Sequence, residues 1–279
     1  MSSARKILKA ILVFGLCCAT AREGIAQGHP YYLKDGDTVV FYGDSITEQG
    51  YYTGLIDLFT STRFPKRNVR FYTAGIGGDK VSGGFAGDID ERLQRDVFSH
   101  NPTAVTIMLG MNDGGYGPLT DEIIATYIRG YDHILESIHK NLPDARVTIL
   151  GPSAYDEISL PPIFVGGYNN ALKRLSDIDR ELARKYNACF VDLNAPIVEA
   201  LIRGVAIDRT ATRMLIPDRI HPTQALHWVM AAAILKAWNA ESPVTSVALD
   251  ASSPITTVNA EGTTVSKLTE NGSTLSWEQ

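Results

Sequence analysis

The sequence predicts an α/β fold: a parallel sheet covered by helices on both faces, with a short β-rich appendage at the C-terminal end. Three observations predict it. Short β-branched and aromatic runs recur along the chain, most of them closed by glycine. Between them lie segments with apolar residues at helical spacing, so strand and helix alternate as a doubly wound sheet requires. After Trp238 the helical period vanishes and Ser, Thr, Val and Asn dominate.

The elements follow in order. Arg5, Lys6 and Lys9 precede the apolar stretch Ala10 to Ala21, which is too short to span a bilayer, and small residues offer cleavage after Ala21 or Ala26. Residues 1–26 therefore read as a secretory signal peptide, which implies a periplasmic or secreted protein. Phe14-Gly15-Leu16 ahead of Cys17 and Cys18 fits a lipid-attachment site poorly. Thr38 to Tyr42 is the first strand, and Tyr52 to Ser61 a helix with Leu55, Ile56, Leu58 and Phe59 on its apolar side. Val69 to Thr73 is the second strand, and Ile89, Leu93 and Val97 mark the next helix. Thr103 to Leu109 is the third strand. The longest helix runs from Thr120, its cap, to Lys140, with Ile124, Ile128, Tyr131, Leu135 and Ile138 at core spacing. Arg146 to Leu150 is the next strand, followed by a loop through Gly167, a helix from Tyr168 to Tyr186 and a last strand from Ala188 to Leu193. Ala225 to Trp238 supplies the final helix. Short links of this kind favour parallel strands and right-handed crossovers, hence a three-layer α/β/α sandwich with a flavodoxin-like sheet over residues 27–240. In residues 241–279, short runs at Val244–Leu249, Ile255–Val258, Thr263–Leu268 and Thr274–Trp277 alternate with turn signals such as Glu261-Gly262 and Asn271-Gly272. They predict a small β-meander or paired hairpins leaning on the main domain.

Four strand-terminal or loop segments carry chemistry. Gly43-Asp44-Ser45-Ile46-Thr47 closes the first strand and would hold Ser45 at the carboxyl edge of the sheet, where open α/β folds place ligands. A serine hydroxyl is a weak nucleophile until a base takes its proton. Asp218-Arg219-Ile220-His221-Pro222 supplies such a base near the other end of the chain. There Asp218 can reach back to the Nδ1 hydrogen of His221, which fixes the tautomer and leaves Nε2 facing outward. Gly75-Ile76-Gly77-Gly78 can present unobstructed backbone N–H groups, and Asn112 in Gly110-Met111-Asn112-Asp113 can aim its amide at developing negative charge. Any one of these alone reads equally as a turn or a helix cap; four of them behind strands, in this order, point to a site.

The four blocks, spanning about Thr38 to Trp238, resemble those of the SGNH hydrolases, also called the GDSL esterase/lipase superfamily. The resemblance implies the same sandwich fold. It also implies Ser45 as nucleophile, His221 as general base and Asp218 as its orienting acid, with an oxyanion hole formed by the backbone N–H of Ser45, the backbone N–H of Gly78 and the side-chain amide of Asn112. Many relatives carry asparagine at the start of the second block, where this chain has Thr73. The G-x-S-x-G elbow of the α/β-hydrolases is absent. Asp44, Tyr116 and Tyr155 are the expected substrate-binding residues. The family spans carbohydrate deacetylases, lipid acylhydrolases (lysophospholipases among them) and thioesterases. A signal peptide, an acidic mature chain and no long apolar lid near the motifs favour a small acyl group, an O-acetyl, on a carbohydrate. A non-catalytic carbohydrate-binding module is the reading from another class, and the completeness of the set weighs against it.

Composition bounds the partners. With 279 residues, 44% of them hydrophobic and 20% charged, the chain can bury one substantial core. Cleaving residues 1–26 removes four basic residues and one acid and takes the net charge from −5 to −8, which disfavours nucleic acid and anionic membrane. No metal or organic cofactor is expected, since His221 and His227 have neither a cysteine cluster nor an H-x-x-x-H pair. His227 reads as a helix-surface or rim residue, His133 and His139 as facing solvent or the helix edge. Cys189 is the one cysteine left after cleavage and reads as a buried structural thiol.

Overall fold

A computed structural model of the chain describes residues 30–241, 244–250, 258–272 and 274–278. The expected signal peptide at 1–26 lies outside the described residues, as does most of the expected run at 255–258. The first strand, β1 (Thr38–Gly43), leads into the short helix α1 (Ser45–Glu48) and then α2 (Tyr51–Arg63). Next come β2 (Arg70–Gly75), a two-residue hairpin of β3 (Gly83–Gly84) and β4 (Gly87–Asp88), and α3 (Ile89–Asp96). Then follow β5 (Ala104–Met108), α4 (Asp121–Asn141), β6 (Arg146–Leu150), α5 (Tyr168–Lys185) and β7 (Cys189–Val191). Helices α6 (Asn194–Ile207), α7 (Arg209–Arg213) and α8 (Gln224–Ala237) complete the main body.

Five strands form one parallel sheet in the order β2-β1-β5-β6-β7, the flavodoxin-like 2-1-3-4-5 arrangement. The register runs Gly43 opposite Gly75 on β2 and opposite Met108 on β5. All six residues of β1 are buried, because helices cover both faces; that is why its sequence is a continuous apolar run rather than an alternating one. Its side chains still alternate in direction. Val39 and Phe41 join Ile56 of α2, Leu201 of α6 and Ile234 of α8 in one core, while Val40 and Tyr42 join Leu93, Tyr131, Ile138 and Leu175 in the other. These are the three layers.

Helix caps follow the sequence. The Thr120 hydroxyl accepts from Ile123 N–H, 3.2 Å, and Asp88 and Glu91 form a reciprocal capping box on α3. Two helical faces differ from expectation. In α2 the buried residues are Tyr52, Thr53, Ile56 and Thr60, Leu55 and Phe59 pack half-buried against the same core, and of the expected apolar side only Leu58 points outward. In α4 the buried stripe is Tyr127, Tyr131, Ile134, Leu135 and Ile138, with Ile124 and Ile128 only half-buried. Cys189 is half-buried rather than buried, because β7 is the sheet's edge. Helix α6 is unforeseen from sequence; Ile197 and Leu201, one turn apart, bury it.

After α8 the chain forms two antiparallel pairs, β8 (Ser246–Leu249) with β9 (Val258–Glu261) and β10 (Ser266–Asn271) with β11 (Thr274–Glu278), so the appendage is β-rich as expected. Among the described residues no helix is long and apolar enough to cross a membrane.

Candidate active site

The chain reverses its direction of strand addition at β1, with β2 on one side and β5 on the other, and the crevice at the carboxyl ends of these strands is where such folds hold ligands. Ser45 is the first residue of α1, just past β1. Helix α1 can lie across the strand ends only because Gly75 has no side chain: a Cβ there would sit 2.6 Å from the Thr47 carbonyl carbon and 2.7 Å from Asp44 O.

His221 Nε2 lies 2.8 Å from Ser45 Oγ, and His221 Nδ1 lies 2.5 Å from Asp218 Oδ2. The other Asp218 oxygen accepts from the backbone N–H groups of Ile220 (3.0 Å) and His221 (2.8 Å). Partial burial alone would raise this carboxyl. Those hydrogen bonds and the neighbouring imidazole outweigh it, so the Asp218 pKa lies below the ordinary aspartate value and the group stays ionised beside His221. The turn depends on Arg219, whose φ of 72° folds the backbone so that Asp218 and His221 face each other. Arg219 N–H donates to Ile216 O (3.0 Å), and its guanidinium donates to Pro161 O (2.8 Å), tying this loop to the long segment after β6.

The loops after β2 and β5 carry the other expected site residues, and the first comes close to the serine: a Cβ on Gly77 would lie 4.0 Å from Ser45 Cβ. Asn112 is buried; its Nδ2 donates to Asp79 O at 3.0 Å, and its Oδ1 accepts from Tyr116 O–H at 2.7 Å. These two bonds orient the amide and leave its second N–H uncommitted by them. Gly78 adopts φ +73°, and the exposed ring of Phe85, on the β3–β4 turn, lies over its Cα. Thr73, which stands where many relatives have asparagine, bonds the Thr53 hydroxyl (3.0 Å) and so links β2 to α2.

Beneath these loops lies a buried ion pair that sequence reasoning missed. Arg92 Nε donates to Asp79 Oδ2 at 2.9 Å, with both side chains fully buried. The same guanidinium donates to Ala74 O (3.0 Å) and Gly43 O (3.4 Å), pairs with Asp96 and lies 4.7 Å from the Tyr42 ring centroid. It therefore clamps the ends of β1 and β2 to the residue whose carbonyl holds Asn112.

Two expected substrate contacts are corrected by the structure. Asp44 is 1% exposed, and its carboxylate caps α1 by accepting from Ile46 N–H (3.0 Å) instead of facing the cleft. Burial, with the Asp113 and Asp79 charges adding to it, pushes Asp44 up to about 7 against the opposing Ile46 bond. Tyr155 is 6% exposed and packs edge-on to Tyr168, ring centroids 5.3 Å apart, so its face offers no open platform. Tyr116 is half-buried and stands between Tyr168 and Asn112. His227 is also corrected: it is fully buried, because it shares the helical stripe of Met230, Ala231 and Ile234 on α8. That spacing was legible in the sequence.

A cleft of about 500 Å³ adjoins His221 and Asp218 and is lined by Gln49, Tyr51, Pro217, Asp218, His221, Pro222, Thr223, Gln224 and Ala225. Such a relay of carboxylate, imidazole and hydroxyl can activate the serine for acyl transfer.

Comparison with known proteins decides the family. The model of the GDSL-like lipase/acylhydrolase family matches residues 41–229, well over half of the chain. The chain belongs to this family. As a GDSL-like member of the SGNH superfamily it is an ester-hydrolysing enzyme. It is 25% identical over 227 residues to an acetylxylan esterase of Geobacillus stearothermophilus, covering 73% of this chain and 94% of that protein. A solved structure of a catalytic mutant of an acetylxylan esterase from the same organism shares the fold at a TM-score of 0.61 and 22% identity, over 75% of this GDSL-like chain and 97% of that one. A gut microbial diltiazem-metabolizing enzyme superposes at a TM-score of 0.71 with 33% identity over 88% of this chain. This chain spans only 56% of the length of that enzyme.

Proposed function

We propose that this enzyme removes O-acetyl groups from a carbohydrate through an acyl-serine intermediate, in the periplasm or outside the cell. The observation that carries the reading is the relay from Asp218 through His221 to Ser45, at 2.5 and 2.8 Å. In this mechanism His221 Nε2 takes the Ser45 proton as Oγ attacks the ester carbonyl. The tetrahedral oxyanion is held by the N–H groups of Ser45 and Gly78 and the Asn112 amide. Collapse breaks the bond to the leaving alcohol, to which His221 returns the proton. Water, deprotonated by the same histidine, then attacks the acyl-serine; collapse breaks the bond from the acyl carbon to Ser45 Oγ, His221 returns the proton to Oγ, and acetate leaves.

The cleft beside His221 supports a polar leaving alcohol. An apolar alcohol chain gains about 0.8 kcal/mol per buried methylene only against apolar walls, and none of the nine lining residues is Leu, Ile, Val, Phe or Met. The likeness to an acetylxylan esterase supports the same substrate class. Secretion rests on the basic and apolar pattern of residues 5–21, and exclusion of nucleic acid on the acidic charge. Phe85, exposed above Gly78, is the feature that favours the lipid acylhydrolase reading. Acetate release from acetylated xylan and pectin, run beside hydrolysis of a long-chain nitrophenyl ester, separates the two. Release that vanishes in Ser45→Ala, with little long-chain activity, is the expected result; strong long-chain hydrolysis would overturn the carbohydrate assignment.

A further inference from the structure

His227 is a buried histidine that the relay does not use. Its Nδ1 faces the backbone N–H of Tyr52 at 3.2 Å, and its Nε2 faces Gln49 Oε1 at 2.8 Å. Tyr52 lies in the first turn of α2, where backbone N–H groups have no intrahelical acceptor. A backbone N–H can only donate, so Nδ1 must be the unprotonated nitrogen. The ring proton of the neutral imidazole therefore sits on Nε2 and donates to Gln49. Burial depresses the His227 pKa to about 4, against an opposing hydrogen bond to the Pro222 backbone, so the ring stays neutral where an esterase works. Stacking on the Tyr52 ring, with centroids 5.9 Å apart, holds its plane.

The consequence falls on Gln49. Because its carbonyl oxygen accepts from His227, the other end of the same amide, an NH2 with two donors, is the end left for the cleft that Gln49 lines. That cleft is walled by His221 itself, whose Nε2 faces Ser45 Oγ at 2.8 Å. The histidine must hand its proton to the departing oxygen, so the alcohol half of the ester occupies this side and the acyl oxygen the Gly78–Asn112 side. We propose that Gln49 is a specificity-determining residue that donates a hydrogen bond to a hydroxyl or ring oxygen of the leaving alcohol, with His227 as the positioning residue that locks its amide outward. This rests on the carbohydrate reading above and adds the group that recognises the sugar.

The test compares kcat/KM for acetylated xylo-oligosaccharide with kcat/KM for phenyl acetate, whose leaving group has no second oxygen. In Gln49→Ala the ratio of the two should fall roughly five- to tenfold, the scale of one lost hydrogen bond, with the loss in KM for the sugar ester. His227→Phe keeps the stacking ring but removes the donor, and should shift the ratio in the same direction. His227→Gln, which returns an amide donor near the Nε2 position, should restore it in part. An unchanged ratio in Gln49→Ala, in a wild-type enzyme active on the sugar ester, overturns the role of Gln49. A wild-type enzyme that cleaves phenyl acetate but no acetylated sugar overturns the carbohydrate reading, and this inference with it.

Discussion

Tyr116→Phe isolates the orientation of the Asn112 amide from its presence. The substitution deletes one hydroxyl, whose hydrogen bond to Asn112 Oδ1 is 2.7 Å. The phenyl ring still packs against Tyr168, centroids 5.3 Å apart, and the Asn112 Nδ2 bond to Asp79 O remains. Removing an oxyanion donor outright costs ~10²–10³ in turnover, whereas one neutral hydrogen bond contributes about 1 kcal/mol, or about fivefold. Since one of the two bonds that aim the amide survives, kcat for phenyl acetate should fall about five- to tenfold with KM nearly unchanged. In an Asn112→Ala background the same substitution should add almost nothing, because there is no amide left to aim. Steady-state kinetics on the two single variants and the double variant make the comparison. Wild-type kcat in Tyr116→Phe, or losses that multiply in the double variant, would refute the reasoning.

Two further perturbations probe the buried frame. A carboxyl whose pKa rises on folding, as that of Asp44 does from 3.8 to about 7, contributes stability that is full below its unfolded value and fades as pH climbs through about 7. Relative to Asp44→Asn, which stays neutral and can still accept from Ile46 N–H, wild type should lose up to roughly 1.4 kcal/mol per pH unit between pH 4 and 7, then level off; parallel melting curves across that window would sink the idea. Gly75→Ala drives a methyl group into the backbone of α1 and should cost roughly 1–3 kcal/mol. Its melting midpoint should drop by several degrees and its activity should fall, because the displaced helix begins with Ser45; an unshifted midpoint would contradict the close approach.

Much of the site was legible because its elements are local. A strand that ends at glycine, Asp-Ser after it, and Asp three residues ahead of His each announce a turn whose chemistry is set within five residues. The sheet was legible for the same reason, through apolar runs and helical spacing. What escaped depends on which way a polar side chain faces once helices are docked. Asp44 reads as a neighbour of the cleft and is instead a cap turned into the core. Arg92 sits in a helix rich in charge and gives no hint that its guanidinium reaches back to Gly43 and Ala74. His227 is the instructive case, since its place in the stripe with Met230, Ala231 and Ile234 marked it as inward-facing. Tyr155 belongs to a loop whose path is set by Asp156, which accepts from Ile158 and Ser159, and no periodicity reveals such a path.

The hydroxyl and the imidazole that meet at 2.8 Å are 176 residues apart in sequence. A ribosome adding about 5–20 residues per second completes the stretch between them in roughly 10–35 s. During that interval the nascent chain carries a serine with no base, and so no means of attacking esters around it. Helix α8 packs on α2, so the last helix of the main body delivers the base to the element beside the first strand. Reactivity is thereby withheld until the chain has been made through His221 and has folded back on itself, and any product cut short before that histidine is chemically silent.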